Sequence, residues 1–358
     1  MKKVTLQHIA ERTGYSKFAV SRALSGKEGI SAASRKKIID EATMLGYFNQ
    51  KKTSKVQTNP LSFGKSEETV QNNFVVILLT NAREQSQLSP YWGKIVEGAS
   101  MMLEKNNLEL IVITESSANS FRRIIHMPGM MGLIGIGEGI PTSLLLETRG
   151  KGFPIVLVDY EDPLVPTDCI FMANYDGTRN LTNYLIGIGH REIQFVGNLK
   201  YSRSFFDRWS GFKAAMEENG LSFPQDKQLL ELQNIYSVSR REYLVNWIES
   251  KLADNDGKDI VWPTAYICAN DYIAQSLISV LAEKKISVPS DCSVTGFDNL
   301  NDFANETSTL TTINVFKEFL GERAVEALLR RINHGDNPFE KIQVFGEMII
   351  RDSVVSRY

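Results

Sequence analysis

The stretch "SKFAVSRALSG", residues 16–26, places Lys17, Phe18, Ser21 and Arg22 at positions i, i+1, i+4 and i+5 of a short run. On an α-helix side chains so spaced share one face. A guanidinium can bond a guanine edge through two parallel hydrogen bonds, hydroxyls and helix-start amides can hold phosphates, and an apolar ring can touch a thymine methyl. The chemistry on offer is the reading of a DNA major groove. Ala19, Val20, Ala23 and Leu24 fall on the opposite, apolar side, which would pack inward and leave Phe18 outward beside Lys17 and Arg22.

The elements that must position this face are short. Thr5 can cap a helix over residues 6–12 with Ile9 and Ala10 inward, Gly14 stops it, and Ser16 caps the next helix through about Leu24. Gly26 and Gly29 end that helix, and Ser31 or Ser34 starts a third whose Ile38, Ala42 and Leu45 recur at helical spacing before Gly46. Three helices in residues 1–46 make a helix-turn-helix unit. Residues 1–55 hold twelve Lys and Arg against four Asp and Glu, so this end carries +8 and the remaining chain −10. A basic head on an acidic body fits a polyanion bound by the head alone.

With 358 residues the chain suits two or three units and can bury a sizeable core. No run approaches the length of a membrane-spanning helix. The start, "MKKVTLQHIAERTG", turns amphipathic where a secretory leader needs an apolar region, so a cytoplasmic location is expected. Cys169, Cys268 and Cys292 lie far apart without C-x-x-C spacing and are expected to be buried thiols; no metal and no cofactor is expected. "GIGEGIP" has the wrong glycine spacing for a dinucleotide loop, and no nucleophile elbow, zinc-protease or Walker sequence occurs. His190 has no matched acid or nucleophile near it and is expected to cap or pack.

Residues 47–73 are polar, carry Pro60 and Gly64, and read as a connector. Beyond them "FVVILL", "LELIVI", "GLIGIG", "PIVLV", "EIQFVG", "TAYICA" and "CSVTGF" have the continuous apolar character of buried parallel strands. Helices are expected between them, over 91–106, 177–188, 209–219 and 272–285. Repeated βα units imply open parallel sheets, here two, with ligand at the strand carboxyl ends.

The run from Val4 to Tyr47 closely resembles the DNA-binding head of the lactose/galactose repressor family. Thr5, Ile9, Ala10, Thr13, Gly14, Tyr15, Ser16, Val20, Ser21, Arg22, Leu24, Ser25 and Gly26 match its ordered pattern, and the third helix ends in the family's L-G-Y. The resemblance implies that Lys17, Phe18 and Arg22 meet bases while Thr5, Ser16 and Ser21 hold phosphates. Ala19 departs from the threonine many members carry. The family's linker forms a hinge helix whose leucine, within A-R-x-L, enters the minor groove. This chain lacks that pattern; an ungapped count makes Val56 the wedge, and an alternative register, through "LSFGKS", makes it Leu61.

The body resembles the family's effector-binding core, which is shaped like periplasmic sugar-binding proteins, through "YDGTRNLTNYLIGIGHREIQFVGN", "CANDYIAQSLISVLAEKKISVPSDCSVTGFDN" and "IIRDS" among other runs. The implied fold is a small all-α helix-turn-helix head, residues 1–46, and an α/β core of two parallel-sheet subdomains, residues 74–358, joined by the linker. The N-subdomain is expected over about 74–172 and 301–334 and the C-subdomain over about 173–300 and 335–358, with ligand between them. Matched positions make Asp159, Arg208, Asn270 and Asp298 the effector contacts, with Ser204, Tyr91, Phe205 and Tyr236 as further candidates. Asn270 is equally placed to cap the helix from Asp271. Lys317 departs from the lactose-type site; an acidic ligand would explain it, and so would a solvated helix lysine. The partners implied are a palindromic operator DNA, a small sugar or sugar derivative and a second copy of the chain, since no leucine heptad follows "RDSVVSRY" to build a tetramer. No membrane partner is expected. A transport-type sugar-binding protein or a sugar-acting enzyme would suit the body but not the basic head.

Overall fold

The computed structural model describes residues 5–24, 31, 34, 37–38, 41–42, 73–79, 90–114, 127–222, 224–233, 239–253, 262–300 and 309–358. The chain divides into two units, Met1–Glu68 and Thr69–Tyr358.

In the first unit Thr5 caps helix α1 (Leu6–Thr13): its hydroxyl accepts the His8 N–H at 3.4 Å, and its own N–H donates to His8 Nδ1 at 3.2 Å. Such reciprocal bonds satisfy amides that a helix start leaves open. Gly14 closes α1 in the left-handed region, at φ 75, where a side chain would be strained. Ser16 then caps α2 (Lys17–Leu24), its hydroxyl accepting the Ala19 N–H at 3.2 Å. Ile9, Ala10, Val20, Ala23, Ile38 and Ala42 form the core, and Tyr15 donates to the Ser34 hydroxyl at 3.1 Å. Ser31 accepts the Ser34 N–H ahead of the helical residues that include Ile38 and Ala42. Leu45 and the hinge candidates Val56 and Leu61 lie outside the described residues.

The second unit holds two parallel sheets. The first joins β1 (Phe74–Leu79), β2 (Glu109–Ile113), β3 (Met130–Ile136), β4 (Ile155–Val158), β5 (Asp168–Met172) and β10 (Lys341–Val344) in the order β10-β5-β4-β3-β1-β2. The other runs β6 (Ile193–Val196), β7 (Ala265–Cys268), β8 (Ser293–Thr295). β9 (Thr312–Asn314) pairs antiparallel with β11 (Glu347–Ile349) and is bridged to the β8 edge at Thr295–Thr311 and Asp298–Asn314. The helices are α3 (Pro90–Lys105), α4 (Thr142–Gly150), α5 (Asn174–Gly187), α6 (Arg203–Glu218), α7 (Ser239–Ala253), α8 (Asp271–Glu283) and α9 (Lys317–Asn333).

Strand β1 shows why the first sheet is covered on both faces. Val75, Ile77 and Leu79 pack into the core with Ile95 and Leu328, while Phe74, Val76 and Leu78 enter a second core with Leu144 and Leu145. Alternation along the strand sends them to opposite faces, and each fully buried side chain of this size contributes roughly 1.5–3 kcal/mol. α3 and α9 touch backbone to backbone at Gly98 and Gly321. A Cβ on Gly98 would lie 1.9 Å from the Glu318 carbonyl oxygen, and one on Gly321 2.0 Å from that of Ile95. The edge strand β10 is tied down through Asp168, fully buried at the start of β5. Its carboxylate accepts from Arg331 at 2.9 and 3.0 Å, Arg330 at 3.1 Å and the Glu340 N–H at 2.7 Å.

The chain passes from the first sheet to the second after β5. The later passages differ from the expected 300 and 335: they fall between β9 and α9, at 315–316, and between β10 and β11, at 345–346. Polar stretches and the Gly335 turn resemble boundaries in sequence, but a short strand follows each and stays with the sheet just left. The three cysteines are free and buried. His190 is a packing residue: its ring meets the Thr264 hydroxyl and the Val355 carbonyl, both at 3.0 Å, and burial holds its pKa below the ordinary value.

Candidate functional site

On α2 the apolar side chains turn inward as their spacing requires: Val20 and Ala23 are buried, whereas Lys17, Phe18 and Ser21 are exposed, Phe18 at 70%. The Arg22 guanidinium lies 5.5 Å over the Phe18 ring, a cation–π arrangement that holds the planar fork beside the aromatic. Thr5 and Ser16 use lone pairs for capping, which leaves each hydroxyl hydrogen available to donate to a phosphate.

In the second unit Tyr91, Trp92, Glu138, Asp159, Tyr201, Ser202, Ser204, Phe205, Arg208, Tyr272 and Asp298 line a cleft. It lies at strand carboxyl ends, where open parallel sheets place ligands. Glu138 and Asp159 follow β3 and β4 of the first sheet, and Asp298 follows β8 of the second. Asp159 and Asp298 both take positive φ, 55 and 107, as the chain turns out of its strand. Gly137, at φ 76, sits between β3 and Glu138; a Cβ there would meet the Trp92 ring at 3.4 Å. That ring packs edge to face on Tyr91 with centroids 4.8 Å apart.

The N-terminus of α6 joins the two sides. Ser202 caps it by accepting the Phe205 N–H at 3.1 Å. The Arg203 N–H donates to Glu138 at 3.0 Å, the Arg203 guanidinium to Glu161 at 2.6 Å, and the Ser204 hydroxyl to Asp159. Carboxylates are favoured at a helix N-terminus, whose amides and dipole are positive. One turn on, Arg208 is buried. Its Nε donates to Asn174 at 2.8 Å, one terminal nitrogen to the Ala269 carbonyl at 2.5 Å and the other to Asp298 at 3.2 Å, while its plane lies 3.8 Å from the Phe297 centroid.

Burial pushes Glu138 up to about 7, against the Arg203 amide bond and with the Asp159 charge adding to the rise. Burial likewise lifts Asp159 to about 6, opposed by the Ser204 bond and the Arg208 charge. Asp298 is also raised by burial, with Arg208 and Lys317 opposing. The cleft therefore holds carboxyl groups that gain or lose a proton near neutrality.

Asp159, Arg208, Asp298, Ser204, Tyr91 and Phe205 all line this cleft, and Tyr236 lies outside the described residues. Asn270 is fully buried away from the lining and caps α8, accepting the Ile273 N–H at 3.0 Å. Lys317 is neither solvated nor on the cleft wall. It is 4% exposed and donates to the backbone carbonyls of Asp298, Val315 at 3.3 Å and Asn299 at 3.5 Å. These carbonyls replace water around its ammonium, because the bend after β9 brings the first turn of α9 against the Asp298 loop. Sequence reasoning missed Trp92, Glu138, Tyr201, Ser202 and Tyr272. The signal for Glu138 was its place just past an apolar strand, the same place that marks Asp159.

Among the described residues no helix is long and apolar enough to cross a membrane, and no group of three or more His, Cys, Asp or Glu could hold a metal ion.

A profile described as a periplasmic binding protein-like domain matches residues 182–354. The HTH-type transcriptional repressor PurR of Pasteurella multocida (strain Pm70) is 26% identical over 361 residues, covering 99% of each chain, so the likeness includes the head. Among solved structures, the lac repressor dimer bound to operator and the anti-inducer ONPF has TM-score 0.65 at 20% identity, over 99% of this chain and 100% of that one. A LacI family regulator from Enterococcus faecium with bound ribose has TM-score 0.65 at 21% identity, over 80% of this chain and 100% of its own. Likeness at such identities shows the fold, and the relatives matched along the whole chain are transcriptional repressors rather than enzymes. The chain carries a periplasmic binding protein-like domain over residues 182–354, is similar along its whole length to HTH-type transcriptional repressors and shares the fold of the lac repressor, in keeping with its resemblance to the lactose/galactose repressor family.

Proposed function

We propose that the protein is a cytoplasmic repressor that binds a palindromic operator as a homodimer and is controlled by a small sugar-like effector held in the cleft. The observation that carries the DNA side of this reading is the outward face of α2, where Lys17, Phe18, Ser21 and Arg22 stand opposite the buried Val20 and Ala23. Thr5 and Ser16 lie at helix starts, where hydroxyls and amides suit phosphates. Val56 remains the proposed minor-groove wedge, with Leu61 as the other register.

Two features support the effector side: a polar, aromatic-walled cleft drawing on both sheets, and α6, whose N-terminus bonds Glu138 and Asp159 across it. An effector whose contacts differ between two arrangements of the sheets shifts their populations. Asp159, Arg208 and Asp298 would take its hydroxyls, with Ser204, Tyr91 and Phe205 around them. Asn270 supports the site by capping α8, and a role for Tyr236 remains a proposal from resemblance alone.

The experiment is an operator titration with the full chain, using DNA selected by the protein from a random pool and effectors found by thermal-shift screening of sugars, sugar phosphates and nucleobases. Asp298→Asn should keep operator binding while lowering the effector-induced change in operator affinity from a typical ~5–150-fold to about none. An unchanged response in that variant would sink the assignment of the cleft. Phe18→Ala should relax the preference at a single base pair of each half-site by about 1 kcal/mol, the low end for one lost base contact. A binding-site selection with the variant reads this directly, and an unaltered selected sequence would remove Phe18 from the reading face.

A further inference from the structure

Among the described residues, the lining of the cleft carries three carboxylates, Glu138, Asp159 and Asp298, and one cation, Arg208. Arg208 is already engaged, since its Nε and both terminal nitrogens donate to protein acceptors, one of them Asp298. Two further cations, on helices that touch the cleft wall, are engaged as well. Lys317 has its ammonium on backbone carbonyls behind Asp298, and Arg203 pairs with Glu161 at 2.6 Å and Asp207 at 2.7 Å. Asp159 takes its side-chain hydrogen bond from the neutral hydroxyl of Ser204. Its charge and that of Glu138 repel each other, and Asp298 and Asp207 add to the field at Asp159.

Five rings complete the wall: Tyr91, Trp92, Tyr201, Phe205 and Tyr272. Aromatic faces present negative charge density and attract cations, most strongly in sites shielded from water. Carboxylates and aromatic faces together favour a positively charged ligand. A phosphorylated one would bring negative charge to a wall whose described cation is already paired.

Resting on the cleft as the effector site, we infer that the effector is a hydroxylated amine, such as an amino-substituted sugar, whose ammonium is received on the Glu138 and Asp159 side of the cleft. Its hydroxyls have Asp298, Ser202 and Ser204 as partners. The ammonium supplies Asp159 with a charged donor in place of a neutral one, and a charge-assisted hydrogen bond is about twice as strong as a neutral one.

The test uses the full chain at pH 7 with glucosamine, galactosamine and mannosamine, each beside its parent hexose and the hexose 6-phosphate, read by thermal shift and calorimetric titration. At least one amino sugar should bind on the order of ten-fold more tightly than its parent. Asp159→Asn and Glu138→Gln should each shrink that ratio. Asn tolerates the left-handed backbone at position 159 and can still accept from Ser204. Melting of both variants without ligand, matched to the wild type, checks that they fold. A parent hexose or a 6-phosphate binding as tightly as the amine would overturn the inference, as would a ratio that neither variant changes or a panel in which no amino sugar binds. If an amino sugar binds and Asp298→Asn leaves that affinity untouched, binding lies outside the cleft and the effector-site reading itself fails.

Discussion

Replacing Arg208 with leucine is expected to destabilise the second unit by about 3–5 kcal/mol, the usual cost of stripping one partner from a buried ion pair. Three losses combine. The Asp298 carboxylate loses the guanidinium that pairs with it at 3.2 Å, the Ala269 carbonyl and the Asn174 side chain lose their bonds, and the Phe297 ring loses the planar group stacked on it. For a unit of this size the melting temperature should fall by on the order of ten degrees. The size of the effect should depend on pH in a direction set by Asp298. Burial already raises its pKa above the ordinary aspartate value, with Arg208 among the groups opposing the rise. Removing Arg208 raises it further, so the folded variant holds a proton that the unfolded chain releases. Stability is thus retained below the unfolded pKa of about 3.9 and lost as pH climbs through the folded value. Thermal melts of the variant and the wild type should diverge more at pH 8 than at pH 5. An equal gap at both would assign the loss to packing and not to charge.

Arg208 also shows how much of this site was legible in the amino-acid sequence. Its place in "FFDRWSG", together with Asp159 and Asp298 at the ends of apolar runs, follows from local pattern and resemblance, and the three do share one cleft. The direction of Phe18 was equally legible, because the apolar stripe on α2 fixes the opposite face. What was not legible depends on tertiary placement. Helix α6 begins at Arg203, not near residue 209, because Ser202 caps it and its first two turns bury Ser204, Phe205 and Arg208, a polar mixture that hides the amphipathic period. β5 is led by a charged residue, Asp168, whose burial makes sense only once Arg330 and Arg331 arrive from α9. Lys317 reads as a surface residue because a cation in a first helical turn opposes the helix dipole. It is held there by carbonyls of the Asp298 loop, 18 and 19 residues away in sequence. Asn270 satisfied the plainer of its two possible roles, the helix cap.

Arg22→Ala should cost roughly 1–3 kcal/mol of operator affinity, on the order of ten- to a hundred-fold, while leaving binding to unrelated DNA largely in place. The expectation rests on the division between base reading and phosphate attraction. A guanidinium can make two parallel bonds to one guanine edge, so its removal erases discrimination at one position. The slope of log affinity against log salt counts released counterions and should change less for Arg22→Ala than for an equally exposed phosphate-neutralising residue. Lys17→Ala provides the comparison: if Lys17 neutralises a phosphate, its loss should lower the slope by about one with a milder effect on sequence preference. The contact between Arg22 and Phe18 adds a second expectation. With the guanidinium held 5.5 Å over the ring, Phe18 pre-orients the fork that Arg22 presents. The double variant Phe18→Ala, Arg22→Ala should then lose less specific affinity than the two single losses added together, by about 0.5 kcal/mol or more. Strict additivity would mean that the two side chains read their base pairs independently. Full operator affinity in Arg22→Ala alone would mean that α2 does not enter the groove by this face.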